Sequence, residues 1–361
     1  MLSFKKILRF ILPYGIVAKI SEKHFVKRSI IQYDESLPEI KESNSKFDYI
    51  VSVQGFGFSG SGAVVDFLRE FPCCLTLGTI DAEGSKTKGS KLKNGEIDFL
   101  RYAGGLFEIE HYLDDNNIFS KDALLERFKR LANGTELFQQ KNTKRLVNQF
   151  YNQLIDFEID TKGIKVVNGH LASFFMPDTK IKVMRVISLE DYRKLCRNFL
   201  TSIFNELYED TYNYLVLDQL CSDSNYDEER NSEYIPNLKT ILVYRDPRDT
   251  YAYALMKNVP WIPHDSVSDF IKWYKMLWRQ VDKTTKEVLI LRFEDLVFNY
   301  DIIGKKISDY LNLDDFKHTH KLECFDPEES ANNIAIWKNL KNYADSMAKI
   351  ESHLSEYCFN S

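Results

Sequence analysis

The sequence predicts an α/β protein in which a mostly parallel β-sheet is flanked by helices. Three observations predict this fold class. A short apolar strand pattern, YIVSVQ from Tyr49 to Gln54, is followed by a glycine-rich turn and then by a helical pattern. A second strand pattern ends at Arg245, and a third begins near Glu287. Strands that alternate with helices in this way are typical of a parallel sheet.

The composition limits which classes of protein the chain can belong to. The chain has 361 residues, 44% of them hydrophobic, so it can bury the core of one large domain or two ordinary ones. The 53 acidic and 48 basic residues give a net charge of -5, which argues against a general nucleic-acid-binding role. The six cysteines include one vicinal pair and no CxxC spacing, so we expect neither a disulfide framework nor a bound metal.

The first 46 residues are predicted to form an extension and linker before the main domain. The N-terminal stretch mixes apolar and basic residues, and its longest uncharged run, Phe10 to Ala18, is too short to span a bilayer. It also lacks the cleavage site of a secretory signal peptide. Two interpretations of residues 1–20 stay open: an amphipathic segment on a membrane surface, or a helix packed on the domain. Residues 34–46 are polar and predict a linker.

The main domain, residues 47–361, opens with the glycine-rich turn. Four of the 15 glycines lie between Gly55 and Gly62, and from Ser61 apolar residues recur at helical spacing until Pro72. At such a turn, free backbone N–H groups and the positive end of the helix dipole converge on one point. We therefore expect the turn to hold a phosphate.

The turn departs from the nucleoside triphosphatase pattern GxxxxGK[ST]. When that pattern is aligned on Gly55 and Gly60, Ser61 stands where the lysine is required. The sequence also shows no clear magnesium-binding acidic residue at a strand end. A kinase or ATPase is therefore disfavoured, although a loop of this architecture could hold a different phosphate-bearing nucleotide.

The second strand, in KTILVYRDPRD, ends at Arg245, and Pro247 marks the start of a new helix. In open α/β sheets the ligand crevice lies outside the carboxyl ends of the strands, so Arg245 and the glycine-rich turn could meet over one ligand. The planar guanidinium suits phosphate oxygens. In the alternative interpretation, Arg245 and its neighbours Asp246, Arg248 and Asp249 only form ion pairs at the start of the helix.

The third stretch, EVLILRFEDLVFNYDIIGKKISDYLNL, predicts a buried strand, a charged turn and an amphipathic helix. Helical periodicity dominates from about residue 100 to residue 235, where Ser120 and Ser188 are the expected N-caps. The aromatic helix DFIKWYKMLWRQ is interpreted as a packing element.

In this order, the three stretches resemble the sulfotransferases that use 3′-phosphoadenosine 5′-phosphosulfate (PAPS) as sulfuryl donor. In that family a loop with Ser-Gly and two small residues holds the 5′-phosphosulfate, RDPRD resembles the 3′-phosphate site, and RFEDLV is similar to an RYEDL segment. LVLDQL and IAIWKN agree with two further segments, the second being a late donor-binding loop, so the likeness covers residues 47 to about 340. It implies donor contacts at Gly57, Phe58, Ser59, Gly60, Ser61, Gly62, Arg245, Tyr253, Trp337 and Lys338.

The resemblance also implies the fold, the reaction and the partners. The expected fold is the sulfotransferase version of the phosphate-loop nucleotide fold, with a helical acceptor subdomain at about residues 100–235. The expected reaction moves a sulfuryl group from PAPS to a hydroxyl on a glycan or glycolipid and releases adenosine 3′,5′-bisphosphate without a metal. The expected location is the cytoplasm, of a bacterial cell, with residues 1–20 as a candidate contact with the inner membrane face.

Two positions depart from the family. Phe58 stands where many members carry a lysine or arginine that touches the bridging oxygen, so either the backbone loop acts unaided or Lys338 or Arg248 supplies the cation. Tyr253 stands where the family often has a serine on the 3′-phosphate. A phenol can also bind phosphate.

The reaction needs a general base for the acceptor hydroxyl. Glu96 is the first choice, because Glu96 and Phe99 resemble a Glu-x-x-Phe setting in several carbohydrate sulfotransferases. Two rival functions stay open: a catalytically inactive nucleotide-binding scaffold of the same fold, and a small-molecule kinase or nucleoside triphosphatase. The alternative bases are Glu83, His111, Asp98 and His170.

Overall fold

The structure is a computed structural model, and it describes residues 31, 33–77, 100, 104–139, 141–161, 164–167, 170–173, 179–221, 227–313 and 317–359. Within these ranges the side chains of residues 136, 139 and 161–179 are not described. Of the extension and linker predicted for residues 1–46, residues 1–30 and 32 lie outside the described part of the chain.

Strands and helices alternate along most of the described chain. In chain order they are β1 (Tyr49–Gly55), α1 (Ser61–Arg69), β2 (Cys74–Leu77), α2 (Leu106–His111), α3 (Ile118–Gly134), α4 (Lys141–Gln153), β3 (Ile155–Thr161), β4 (Ile164–Val167), β5 (His170–Ser173), β6 (Thr179–Met184), α5 (Leu189–Asn205), β7 (Tyr214–Asp218), α6 (Glu228–Tyr234), β8 (Leu238–Tyr244), α7 (Pro247–Lys257), α8 (Val267–Val281), β9 (Val288–Arg292), α9 (Phe293–Phe298), α10 (Tyr300–Leu311), α11 (Pro327–Ala331) and α12 (Ala344–Leu354). Short 3₁₀ helices cover Glu136–Gln139, Ile336–Asn339 and Lys341–Tyr343.

Five of the strands form one sheet in the order β2-β7-β1-β8-β9, and every neighbouring pair in it is parallel. Helices cover the sheet, because alternate residues of a strand point to opposite faces and both faces carry apolar side chains. In β1, Val51 and Val53 pack with α1, α9 and α10, whereas Ile50 packs with α2 to α5. The predicted fold class, a mostly parallel sheet flanked by helices, is confirmed.

A third apolar cluster supports the sheet next to β8. Leu242 packs there with side chains of α7, α8 and α12, among them Phe270, Tyr274 and Ile350. The aromatic helix α8 therefore serves packing, as the sequence indicated. Its inward side also places the Tyr274 hydroxyl 3.2 Å from the Arg245 carbonyl oxygen, to which it donates a hydrogen bond.

The region between β2 and β7 is less helical than the sequence predicted. Besides α2 to α5 it contains two antiparallel pairs, β3 with β6 and β4 with β5. Ser188 caps α5 as expected, accepting from the Asp191 N–H at 3.1 Å. Ser120 is not a cap, since Asn117 accepts from the N–H of Phe119 at 3.0 Å and Ser120 lies inside α3. The predicted charged turn after β9 is the short helix α9.

None of the six cysteines is in a disulfide. Among the helices of the described part of the chain, none has the length and apolar character needed to cross a membrane.

Candidate functional site

The candidate site lies where the connections of the sheet diverge. β1 and β8 are neighbours in the sheet. From β1 the chain continues to β2 at one edge of the sheet, whereas from β8 it continues to β9 at the opposite edge. Ligands of open α/β sheets bind in the crevice outside the strand carboxyl ends at such a point. The loop from Gly55 to Gly62 follows β1, and Arg245 follows β8, so both lie at this crevice.

The loop needs glycine because other parts of the site approach it closely. Gly60 has a φ of +89°, and a Cβ there would lie 2.4 Å from Cδ2 of Phe293. A Cβ on Gly55 would lie 1.7 Å from Oγ of Ser59 and 2.9 Å from the carbonyl oxygen of Val243. The glycines thus let the loop fold tightly between the end of β8 and the start of α9.

The N-terminus of α1 has no side-chain cap, although the N–H of Ala63 donates to the carbonyl oxygen of Gly60 at 3.0 Å. Its N-cap, Gly60, provides no side-chain hydrogen bond, and the first turn carries no acidic residue. The first N–H groups of a helix have no partner within the helix, and they carry the positive end of the dipole. The Oγ of Ser61, at the first position of α1, accepts a hydrogen bond of 2.7 Å from Nε2 of Gln219. This arrangement can bind a phosphate or a similar oxyanion.

The hydroxyl of Ser59 points into the loop. It is buried, has no hydrogen-bond partner, and lies against the backbone of Gly55. The sequence placed Ser59 among the residues that hold the anion. In this arrangement its hydroxyl is turned away from solvent.

Arg245 lies in a buried network that joins two of the predicted segments. Its Nη2 donates a hydrogen bond to the carbonyl oxygen of Asn333 and lies 3.6 Å from Oδ2 of Asp249. Asp249 in turn accepts from the backbone N–H groups of Ala335, at 2.7 Å, and Trp337, at 3.1 Å. The structure therefore brings the RDPRD segment and the late segment with Trp337 and Lys338 together. The Nε of Arg245 has no hydrogen-bond partner.

The glycine-rich loop reaches this network through one aromatic ring. The side chain of Phe293 lies against Gly60 on one side, and the Arg245 guanidinium carbon lies 5.7 Å from the ring centroid. Phe293 is the first residue of α9, within the RFEDL segment. All three sequence stretches therefore meet at the crevice.

Arg248 has a framework role, as the ion-pair alternative predicted for it. Its guanidinium pairs with Asp246 at 2.6 Å and with Glu351 at 3.1 Å. It also donates to the carbonyl oxygen of Phe359 at 2.9 Å and lies 4.4 Å from the centroid of Trp337. These contacts occupy the guanidinium of Arg248. They therefore argue against Arg248 as the replacement for the missing loop cation.

Glu294 is a buried carboxyl at the site that the sequence did not single out as a candidate. One oxygen accepts from the backbone N–H of Asp246 at 2.9 Å, and the other has no hydrogen-bond partner. Burial raises the pKa of Glu294 to about 7, because the charged form loses its hydration. The only sequence signal was its place just after a predicted strand, which the structure shows as the edge strand β9.

The two departures from the family pattern are in contact with each other. The ring centroids of Phe58 and Tyr253 are 4.3 Å apart, and Trp261 stacks on Phe58 at 6.1 Å. Phe58 has a φ of 50°, an uncommon backbone conformation for a residue with a side chain. Lys257 lies 6.0 Å from the ring of Tyr253. The space expected for a cation and a serine therefore holds an aromatic stack.

Most candidates for the general base lie outside the described residues: Glu83, Glu96 and Asp98 belong to the range 78–99. The side chain of His170, in β5, is not described. His111 ends α2, is exposed, and has a ring contact with Tyr112. Across the part of the chain that the structure describes, no hydrogen bond, ion pair or ring contact joins His111 to the loop.

Two functional candidates lie at the end of β7, and sequence reasoning missed both. β7 lies directly beside β1 and ends in Asp218, so an acidic strand end does stand next to the loop, contrary to the expectation from the sequence. Gln219 comes next and contacts Ser61. The run LVLDQL was interpreted only as a strand, and its place in the sheet could not be read from the sequence. No group of three or more metal-binding side chains occurs among the described residues.

Comparison with known proteins adds little. No protein-family model matches the chain, and no curated protein sequence matches it either. Matches among solved structures include a sulfotransferase from Mycobacterium avium, with 10% sequence identity and a TM-score of 0.34 over 95% of this chain and 80% of that one. A similarity this low carries no argument about activity.

Proposed function

We propose that this protein is a sulfotransferase that moves the sulfuryl group of PAPS to a hydroxyl of a glycan or glycolipid. The observation that supports the proposal is the meeting of the glycine-rich loop, Arg245 and the RFEDL segment at one crevice of the sheet. Phe293 contacts Gly60 and its ring centroid lies 5.7 Å from the Arg245 guanidinium carbon, so the two proposed anion-binding groups both lie next to one ring.

The donor is proposed to bind across these two groups. The open N-terminus of α1 and the backbone of residues 57–62 hold the 5′-phosphosulfate. Arg245 holds the 3′-phosphate, with Tyr253 at the edge of that site and Trp337 and Lys338 in the adjoining late segment. Arg245 then exchanges the carbonyl oxygen of Asn333 for a phosphate oxygen, a stronger acceptor because it is charged.

The chemistry is an in-line displacement at sulfur. The acceptor oxygen forms a bond to sulfur as the bond between sulfur and the bridging phosphate oxygen breaks, and the acceptor proton passes to the base. Negative charge grows on the bridging oxygen, and preorganised N–H groups at α1 stabilise it in place of the family's loop cation. Glu96 is the proposed base, and Glu83, His111, Asp98 and His170 are its alternatives.

The acceptor and the location extend the same proposal. The acceptor is proposed to be a saccharide, and the enzyme is proposed to work in the cytoplasm with residues 1–20 at the inner membrane face. Deletion of residues 1–20 should then move the protein from the membrane fraction to the soluble fraction. An unchanged distribution would exclude the membrane contact.

The donor site is tested by thermal stabilisation. Adenosine 3′,5′-bisphosphate should raise the melting temperature more than AMP or ATP does, and Arg245→Lys should lose this preference, because lysine keeps the charge but not the planar fork. Arg197→Lys is the matched control, since Arg197 is a surface residue bound to Glu233. A larger shift with ATP than with the bisphosphate would overturn the proposal.

A magnesium-dependent phosphoryl transfer is the second candidate. The position of Asp218, at the end of the strand beside the loop, favours it, because phosphate-loop enzymes hold Mg²⁺ with an acid at a strand end. Ser61 in place of the loop lysine opposes it. Stabilisation by ATP that requires Mg²⁺ and is lost in Asp218→Asn would establish this candidate over the first.

A further inference from the structure

We propose that Gln219 is a positioning residue that aims the hydroxyl of Ser61 at the bound anion. This inference rests on the proposed function, since it concerns the same donor loop. Gln219 is the first residue after β7, and its Nε2 donates a hydrogen bond of 2.7 Å to the Oγ of Ser61. The contact joins the ends of two neighbouring strands, because Ser61 opens the helix that follows β1.

The backbone is shaped for this contact. The N–H of Gln219 donates to the carbonyl oxygen of Val53 at 2.7 Å, so the pairing of β7 with β1 extends one residue past Asp218. Gln219 then takes a φ of 56°, in the left-handed region that residues with a side chain rarely adopt. Strained residues of this kind persist where the surrounding structure fixes them, and they cluster at functional sites.

The direction of the hydrogen bond gives the contact a chemical consequence. A serine hydroxyl has one hydrogen to donate and can accept as well. Because the Oγ of Ser61 accepts from Gln219, its own hydrogen is directed elsewhere. Ser61 is the first residue of α1, whose uncapped N-terminus is the proposed anion site, so the hydrogen is available to a ligand oxygen there. Gln219 would thus preset one donor of the site before the ligand arrives.

The test is a double-mutant cycle on binding of adenosine 3′,5′-bisphosphate, measured by calorimetry. Gln219→Met keeps the size of the side chain and removes its amide, and it should weaken binding about three- to tenfold. In a Ser61→Ala background the same change should have almost no further effect. Gln280→Met, in α8, is the matched control and should bind as wild type does.

A second variant separates positioning from a purely structural role. Gln219→Asn suits the left-handed backbone, but its amide is one methylene shorter and cannot keep the contact with Ser61. It should therefore leave the melting temperature of the ligand-free protein unchanged while weakening binding as much as Gln219→Met does.

The outcomes distinguish this inference from the proposed function. Wild-type affinity in Gln219→Met, or an equal loss in the Ser61→Ala background, overturns the role of Gln219 alone. Failure of the wild-type protein to bind the bisphosphate overturns the proposed function, and the inference with it. Retained binding in Gln219→Asn would show that the backbone turn, and not the amide, is what matters.

Discussion

The helices α1 and α7 begin at neighbouring places in the sheet, yet their N-termini differ. α7 is capped by its own chain, because Asp246 accepts from the N–H of Arg248 at 2.8 Å and both residues belong to a buried ion pair. α1 begins at a glycine with no side-chain cap and no acid in its first turn. The difference teaches that the positive helix end is satisfied by the protein's own side chain at α7, whereas at α1 no side chain satisfies it, as the proposed anion site requires.

Among the variants that test this difference between α1 and α7, Arg248→Ala is expected to have the largest effect. Removal of the guanidinium leaves Asp246 buried without its partner, which should lower the free energy of unfolding by about 3–5 kcal/mol. The measurement is urea denaturation, with the surface variant Arg197→Ala as control. If Arg248→Ala unfolds like the wild type yet no longer binds the bisphosphate, the N-terminus of α7 itself binds the donor and the contrast between the two N-termini is wrong.

Gly60→Ala should have the next largest effect. The new Cβ would meet the ring of Phe293 in a left-handed backbone, which should cost roughly 3 kcal/mol of stability and abolish bisphosphate binding. Gly134→Ala is the matched control, because a Cβ there meets no atom within 4 Å. Equal stability of the two variants would contradict the close approach of Phe293 to the loop.

Glu294 accepts a hydrogen bond from the N–H of Asp246 at the start of α7. Its titration gives a test of this region through the pH dependence of stability. Its pKa is raised from 4.5 to about 7, so the folded state binds this proton more tightly than the unfolded state does. The stability from Glu294 is therefore fully present below about pH 4.5 and is lost as pH rises towards 7.

Over this pH range Glu294 should account for about 2 kcal/mol of lost stability. Glu294→Gln should remove that part of the pH dependence, as measured by urea denaturation at pH 5 and pH 8. An unchanged slope between wild type and variant would show that Glu294 is not the group that titrates.

The smallest effect concerns the aromatic stack beside the loop. Phe58→Ala and Tyr253→Ala should each destabilise the protein, and the double variant should lose about 0.5–1.5 kcal/mol less than the sum of the two. The measurement is a double-mutant cycle by urea denaturation. Strictly additive losses would mean that the rings do not support each other in solution.

The sequence predicted the parts of this protein that depend on local patterns. The strand from Tyr49, the helix after the glycine-rich turn and the helix start at Pro247 follow from short-range spacing, and the structure has all three. It could not predict which strand lies beside β1, because sheet order depends on contacts between distant segments. Asp218 and Gln219 were missed for that reason.

The sequence also could not predict which side chains pack against each other. Phe58 and Tyr253 were treated as two separate departures from a family pattern, whereas their rings are in contact. The buried state of Glu294 depends on α7 and on the chain near Phe359, which no local pattern connects to it. The sequence therefore shows which residue types are present, but it does not predict which side chains they contact.

If Arg245 binds the donor as proposed, its hydrogen bond to the carbonyl oxygen of Asn333 makes the late segment an internal competitor of that donor. A phosphate that binds this guanidinium must displace the carbonyl oxygen of Asn333, and this exchange reduces the net free energy of binding. Affinity for the nucleotide would then depend on how firmly residues 333–337 are held. Asp249 binds two N–H groups of that segment and also lies 3.6 Å from the Arg245 guanidinium, so a change at Asp249 would alter both the segment and the guanidinium at once.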